Sequence, residues 1–515
     1  MKKLLVMHRV CTVAARALLI AVLTCLAACS LPESEQVTLV QVEAEKYRAS
    51  WKSLSKHEAA PEWLKDAKLG IYFHWGPYSV PAFGSEWYPS TMHRSNTDVY
   101  NYHLKTYGPV EEFGYHDFIP DFTGEHFDPE DWAELFKKAG ARFAGLVAEH
   151  HDGFSMWDSK VTPWNAKAMG PRRDILGELF QSLEKRDMKT IATFHHARNL
   201  QRYRENWDKV KSKGGSHYEY KPGWPTASDD PKLRLLYGNV PEEEWNEAVW
   251  LGKLEEVVDS YQPDIIWFDS WLDRIPESYR QRFAAYYLNA AETWSKDVAI
   301  IRKQEDLPLS FSINDHEKSR EPKALPNLWM TDDTLSTGSW SYTKGLKIRP
   351  LARIVHALVD TVAKNGVMLL NISPMADGAI PQDQREALLE LGKWLESNGE
   401  AIYDTRPWIN AAEGPTAEPV GGFKDHAKFL QLEYTAADIR YTASKDGKTI
   451  YAITLGVPEA GSAIMLTSFA DHNVEVKNIR LMDGGQVEWK QGWDGVQITV
   501  PTTSENSAVA FKIML

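Results

Sequence analysis

Short apolar segments alternate with helical patterns through most of this chain, and that alternation constrains its fold more than any other feature. Gly70-Ile71-Tyr72-Phe73 is the first such segment. Phe143 to Ala148 follows the amphipathic stretch Pro129 to Ala139, and Thr190 to Phe194 follows Leu176 to Lys185. Asp264 to Phe268 follows Glu242 to Ser260, Val298 to Ile301 follows Ser278 to Thr293, and Val367 to Leu370 follows Ala352 to Ala363. Apolar strands separated by amphipathic helices predict parallel βα units. Their number and span suit a (β/α)₈-type barrel with insertions over residues 50–408. A doubly wound open sheet is the alternative, although no glycine-rich phosphate loop follows any of the strands.

The residues just beyond the strands are polar: His74, Glu149-His150-His151, His195-His196, Asp269 and Asn371. Active sites of barrel enzymes lie at the C-terminal ends of their strands, so these side chains are expected to converge on one pocket. A single buried histidine is more often a satisfied core residue; the repetition over five strands carries the reading. After Tyr403 to Trp408 the helical pattern stops. Short alternating segments at 450–455, 463–467, 474–481, 496–500 and 508–513 predict an antiparallel β-sandwich over 409–515.

The N-terminus has its own pattern. Lys2, Lys3, Arg9 and Arg16 precede an apolar run, Ala17 to Ala28, that is short for a permanent membrane span. It ends Leu26-Ala27-Ala28-Cys29, which looks like a bacterial lipobox. The expectation is a signal peptide over 1–28, lipid attachment at Cys29, a polar tether over 29–49, and export to the cell envelope. All 3 cysteines (Cys11, Cys25 and Cys29) lie in this segment. The body therefore has no disulfide framework, zinc–thiolate site or cysteine nucleophile.

Composition narrows the partner. A net charge of −13 argues against nucleic acid. The chain has 20 tryptophans, and flat apolar rings suit the C–H faces of sugars, or simply a large aromatic core. Asp269 ends an apolar strand. It is placed to attack a sugar carbon as a nucleophile, or equally to cap a helix. A retaining glycosidase needs a second carboxyl nearby, and Glu305, Asp306, Asp315, Glu317, Glu321, Asp332 and Asp333 are all downstream candidates. Metal chemistry is the competitor. Neighbours on a strand face opposite ways, so neither His150-His151 nor His195-His196 is expected to chelate from one side. No His-Glu-x-x-His helix or Gly-x-Ser-x-Gly elbow is present.

At this point a family resemblance emerges. His74-Trp75-Gly76, Ser79-Val80-Pro81 and Gly84-Ser85-Glu86-Trp87-Tyr88 resemble the start of the glycoside hydrolase family 29 α-L-fucosidase barrel. Glu149 to Phe154 resembles that family's double-histidine motif, followed by Arg173-Asp174. Pro263 to Asp269 resembles its nucleophile strand, and Asn365 to Pro374 with Asp377-Gly378 its last strand and loop. The resemblance implies that Asp269 is the nucleophile and that His74, Glu86, Trp87, His150, His151 and Trp267 line a fucose subsite. His195 joins them by its place at a strand end. Asp315 to Arg320 resembles the acid/base segment of the branch acting on α-1,3 and α-1,4 linkages, which points to Glu317. Trp329 to Asp333 and Ser339 to Tyr342, with Trp340, resemble the tryptophan motifs that follow.

Two departures stand out. Phe194 to Asn199 replaces a Tyr-x-Ser-x-x-Glu-Trp segment, and Ser319 replaces a glycine. Arg198, inside the first departure, is either an ordinary surface arginine or a partner for a sulfate or uronate. The expected function is a retaining, exo-acting α-L-fucosidase on fucosylated glycans or polysaccharides, with no cofactor and no metal. The alternatives are a related enzyme for a sugar such as an α-L-galactoside and a non-catalytic glycan-binding lipoprotein.

Overall fold

In the computed structural model the described residues are 45–202, 217–419, 426–470, 474–482 and 484–515. The signal peptide, Cys29 and most of the tether fall outside them.

Eight parallel strands close into a barrel in chain order. They are β1 (Leu69–Phe73), β2 (Phe143–Glu149), β3 (Lys189–Phe194), β4 (Ile265–Phe268), β5 (Ala299–Arg302), β6 (Ile313–Asp315), β7 (Trp329–Thr334) and β8 (Gly366–Ile372). Pairing of β1 with β8, from Leu69 against Met368 to Phe73 against Ile372, shuts the ring. Both faces of these strands are covered, so they read as near-continuous apolar runs. Tyr72, Val147, Ile191, Trp267, Ile301, Met330 and Leu369 fill the interior, while the opposite faces pack on the helices. β2 and β3 approach closely at Gly145, where an added Cβ would stand 1.7 Å from the Ile191 carbonyl oxygen.

The six expected strands are all present. The two that the pattern did not reveal, β6 and β7, share a cause. Among the described residues no helix separates β5 from β6 or β6 from β7, so the β–α rhythm lapses. These strands also carry Asn314, Asp315, Asp332 and Asp333, which break their apolar character.

The C-terminal part has a five-stranded sheet and a three-stranded sheet. The first contains β9 (Thr405–Glu413), β10 (Ile439–Ser444), β11 (Thr449–Thr454), β13 (Asn478–Leu481) and β16 (Val509–Met514). The second contains β12 (Ala463–Leu466), β14 (Glu488–Gly492) and β15 (Gly495–Thr499). A short helix, His426–Gln431, interrupts the stretch expected to lack helices. A buried charge cluster ties this part to the barrel. Asp360, on the helix Leu351–Ala363, receives Arg320 (2.9 Å), Lys364 (2.8 Å) and Arg440 of β10 (2.5 Å). Burial alone would raise the Asp360 carboxyl, but Lys364, Arg440 and Arg320 hold it far below the usual range.

Candidate active site

Just past the barrel strands the chain leaves the sheet and its side chains line the barrel mouth, with the His195 and Asp269 amides still donating to the Glu149 and Phe194 carbonyls at 2.9 and 3.1 Å. His74 follows β1, His150 and His151 follow β2, and His195 follows β3. Asp269, Ser270 and Trp271 follow β4; Lys303 and Gln304 follow β5. Asp332 lies on β7. These residues line one cavity of about 340 Å³, joined by Glu86 and Trp87, Arg198, Glu317 from the β6–β7 connection, and Trp340. A wider hollow of about 750 Å³, lined by Arg142, Tyr403, Asp404 and Lys445 among others, sits at the opposite ends of the strands, since Arg142 immediately precedes β2.

Lys303 organises the charges. Its Nζ is 3.2 Å from Asp269 Oδ1, 2.9 Å from Glu317 Oε2 and 3.0 Å from Asp332 Oδ2. Burial alone would lower its pKa; Asp332, Glu317, Asp269 and Asp315 raise it well above the ordinary lysine value. Burial likewise works against an ionised Asp269, yet Lys303, His195 and His151 hold that carboxyl well below the usual range. The second oxygen of Asp269 lies 3.3 Å from His151 Nε2 and 3.4 Å from His195 Nδ1. Asp269 is therefore an anion at neutral pH, in a wall that excludes most water.

Of the downstream carboxyls, Glu317 and Asp332 share the cavity with Asp269. Asp332 is buried and accepts from the Tyr72 hydroxyl (3.2 Å). Glu317 is the more accessible, with 17% of its side chain exposed. Asp333 is taken by Arg349 (2.8 Å) and Glu321 by His316 (2.9 Å). Glu305, Asp315 and Glu321 line an adjoining groove of about 640 Å³, which shares Ser270, Lys303, Gln304 and Glu317 with the cavity. Asp306 is buried outside both, its carboxyl pushed up to about 7 by burial.

Asn371, on β8, fixes His74: its Oδ1 accepts from the His74 amide (3.1 Å) and faces Nδ1 at 2.7 Å, while its Nδ2 donates to the Trp340 carbonyl (2.8 Å). Glu86 accepts from the Ser339 hydroxyl and the Trp340 amide, each at 3.2 Å, and burial raises its pKa. Burial and neighbouring imidazoles keep His74 and His150 far below the normal histidine range, and burial brings His151 to about 4. Those three rings are neutral at pH 7, each offering one donor and one acceptor.

One expectation fails. His150 and His151 do not face opposite ways: both lie past the end of β2, in a turn, and their ring centroids are 4.5 Å apart. Strand alternation does not govern them. Even so, neither adjacent pair meets in one candidate metal group among the described residues: ring nitrogens of His74, His150 and His195 fall within 4.8 Å of one another, as do ligand atoms of His151, His195 and Asp269. Imidazole nitrogens so placed have the donor set to take a divalent ion.

Trp267 is not on the cavity wall. Its indole fills the barrel interior, 4.8 Å from Lys303 Nζ and 5.3 Å from the His195 ring, so it supports the floor. His196 turns away onto Trp250, and Glu149 is buried in an ion pair with Lys253 (2.7 Å). Lys303, Gln304, Ser270 and Trp271 were not singled out in the sequence. The rule that found Asp269 would have found Lys303, since it is the first residue beyond β5.

Residues 35–400 match the α-L-fucosidase family model, and 431–514 match the α-L-fucosidase C-terminal domain. The tissue α-L-fucosidase of Rattus norvegicus is 31% identical over 467 residues, covering 88% of this chain and 88% of the rat protein. That of Homo sapiens is 29% identical over 473 residues, with the same coverage of both chains. The crystal structure of Thermotoga maritima α-fucosidase in complex with fucose superposes with a TM-score of 0.71 at 27% identity, covering 91% of this chain and all of that one. The chain belongs to the α-L-fucosidases, a family of glycoside hydrolases.

Proposed function

We propose that this enzyme is a retaining, exo-acting α-L-fucosidase in which Asp269 is the nucleophile and Glu317 the acid/base. The observation that carries this is the shared ammonium. Asp269 Oδ1 and Glu317 Oε2 both contact Lys303 Nζ, at 3.2 and 2.9 Å. They are therefore at most about 6 Å apart, which matches the ~5–5.5 Å of retaining enzymes better than the ~6.5–9.5 Å of inverting ones.

Asp269 attacks the anomeric carbon as Glu317 gives its proton to the glycosidic oxygen. The C–O bond breaks, its electron pair leaves with that oxygen, and a fucosyl ester of Asp269 remains. Glu317, now a carboxylate, takes a proton from the water that attacks the same carbon and frees Asp269. The neutral imidazoles of His74, His150 and His151 suit sugar hydroxyls, which both donate and accept. Trp87 and Trp340 offer apolar faces to the ring and its methyl group. A cavity of about 340 Å³ at the barrel mouth has room for a terminal sugar, and the groove beside Glu317 gives the leaving group a place, an arrangement that suits exo action. The resemblance around Asp315 to Arg320 supports α-1,3 and α-1,4 linkages. The lipobox-like run ending at Cys29 supports export and attachment to the bacterial envelope.

The test is azide rescue on an aryl α-L-fucoside. Asp269→Gly should be nearly inactive and yield the β-fucosyl azide, because azide enters from the face the carboxylate left. Glu317→Gly should yield the α-azide, because azide then replaces water in the second step. The same azide anomer from both variants, or none from either, would sink the assignment. Fucose release from α-1,3- and α-1,4-fucosylated oligosaccharides fixes the linkage, and loss of membrane association in Cys29→Ala tests the anchor.

A further inference from the structure

Arg198 is not a surface residue. It ends the turn His196–Arg198 immediately after β3, is buried, and lines the cavity. Its guanidinium carbon lies 4.8 Å from the Trp87 ring centroid and 4.2 Å from that of Trp271. Among the described residues the guanidinium makes no ion pair or hydrogen bond, and its buried Nε has no partner.

Burying such a cation without a counter-ion is costly, and two indole faces offset only part of that cost. The surroundings deepen the imbalance. Arg274 lies 5.2 Å from the same Trp271 ring, and its buried Nε also lacks a partner. Burial and Arg94, with Arg274 adding to them, bring Arg198 down to about 10 although Asp269 works the other way, so it is charged at neutral pH and only partly compensated, with no carboxylate in contact. Trp271 itself holds a left-handed backbone, φ 80°, which a bulky residue adopts only when its surroundings impose it. All this occurs in a chain of net charge −13, where carboxylates to neutralise an arginine are plentiful. With aromatic rings against the guanidinium, what remains available is its edge, a fork of N–H donors matched to two oxygens of one anion.

We infer that Arg198, clasped by Trp87 and Trp271, is a specificity determinant for an oxyanion, a sulfate ester or a carboxylate, carried by the fucosylated substrate. The inference rests on the fucosidase reading and deepens it. The substrate class becomes anionic: sulfated fucosides, or fucose linked to a sulfated or uronic sugar.

The experiment compares kcat/KM on matched pairs. One set is 4-nitrophenyl α-L-fucoside against its 2-, 3- and 4-O-sulfates. A second is fucosyl-galactoside against its leaving-sugar sulfates, and a third fucosyl-glucoside against fucosyl-glucuronide. Wild type, Arg198→Met and Arg198→Lys are each run on all of them. At least one anionic member should exceed its neutral counterpart by about 10- to 100-fold in wild type, the worth of a charge-assisted contact. Arg198→Met should bring that ratio to about one and Arg198→Lys should keep part of it, since lysine retains the charge and loses the fork. The ratio is internal to each protein, so a partial loss of folding cancels. If Arg198→Met does not fold, the wild-type and Arg198→Lys ratios decide. Neutral substrates cleaved at least as well as every anionic one, or a preference that survives Arg198→Met, would overturn the inference and leave the fucosidase standing. No fucose released from any member would overturn both.

Discussion

Replacing Lys303 by methionine tests the central electrostatic claim. The ammonium lies 3.2 Å from Asp269, and the two side chains are only 6% and 13% exposed. At an effective dielectric constant near 20, two unit charges at that distance attract by roughly 5 kcal/mol. At about 1.4 kcal/mol per unit, that corresponds to between 3 and 4 pKa units. The measured change will be smaller, because His151 and His195 still face Asp269 and the emptied site admits water. A rise of at least about 2 units in the Asp269 pKa is the expectation.

Wild type, whose nucleophile is held well below the ordinary carboxylate range, should lose no activity to Asp269 protonation above about pH 4. In Lys303→Met the acid limb of kcat/KM should move toward neutrality by about 2 pH units. Lys303→Arg should hold the limb near its wild-type place. The assay is kcat/KM for 4-nitrophenyl α-L-fucoside between pH 4 and 9, with thermal melts as a control for folding. A Lys303→Met enzyme that is merely slower, with its acid limb where wild type has it, would refute the claim that Lys303 keeps Asp269 ionised.

Three further outcomes follow from the same structure. The proposed mechanism passes no step through a metal, so a chelator should leave activity intact; zinc captured by His74, His150 and His195 should inhibit, and full loss of activity on chelation would contradict this. Asp360→Asn leaves Arg320, Lys364 and Arg440 around a neutral amide, and should lower stability by about 3–5 kcal/mol in urea unfolding; a change under about 1 would show the cluster to be incidental. His196 is brought down to about 4 by burial, so between pH 4 and 6.5 the native state binds fewer protons there than the unfolded chain does, and stability rises with pH. His196→Gln should remove about 3 kcal/mol of that rise, and curves parallel to wild type would refute the assignment.

The barrel was legible because six of its strands are apolar on both faces and most follow a recognisable helix. The other two carry polar residues and are joined without helices, and they are the strands that bring Asp315, Glu317 and Asp332 toward the cavity. Function thus erased the signal in the region where it acts. Asp269 and the histidines could be read from their place after strand ends, and Lys303 had the same credential. It passed unnoticed because a lone lysine after Ile300-Ile301-Arg302 reads as solvent-facing. Only the closed barrel shows that β5 delivers it between three carboxylates. Arg198 stayed ambiguous because burial cannot be inferred from a turn sequence. Trp267 misled because alternation along β4 places its ring inside the barrel and leaves the cavity to Asp269, two positions on.

The cavity divides its work by charge. Burial strips His74, His150 and His151 of charge, so the part proposed to meet the sugar hydroxyls is neutral; Asn371 Oδ1 and the His195 carbonyl hold the Nδ1 protons of His74 and His151, which leaves their Nε2 atoms as acceptors. The carboxyl groups that would make and break bonds are gathered on Lys303, which does most to keep Asp269 ionised, with His195 and His151 adding to it. A histidine in place of Lys303 could not do this, because the burial that neutralises its neighbours would neutralise it as well. Arg198 is the remaining formal cation on the wall; it feels Asp269 at a distance but makes no ion pair with it. The anion proposed on the substrate would complete the neutralisation that Asp269 and the two indoles begin, so Arg198 and Lys303 are tested on different substrates.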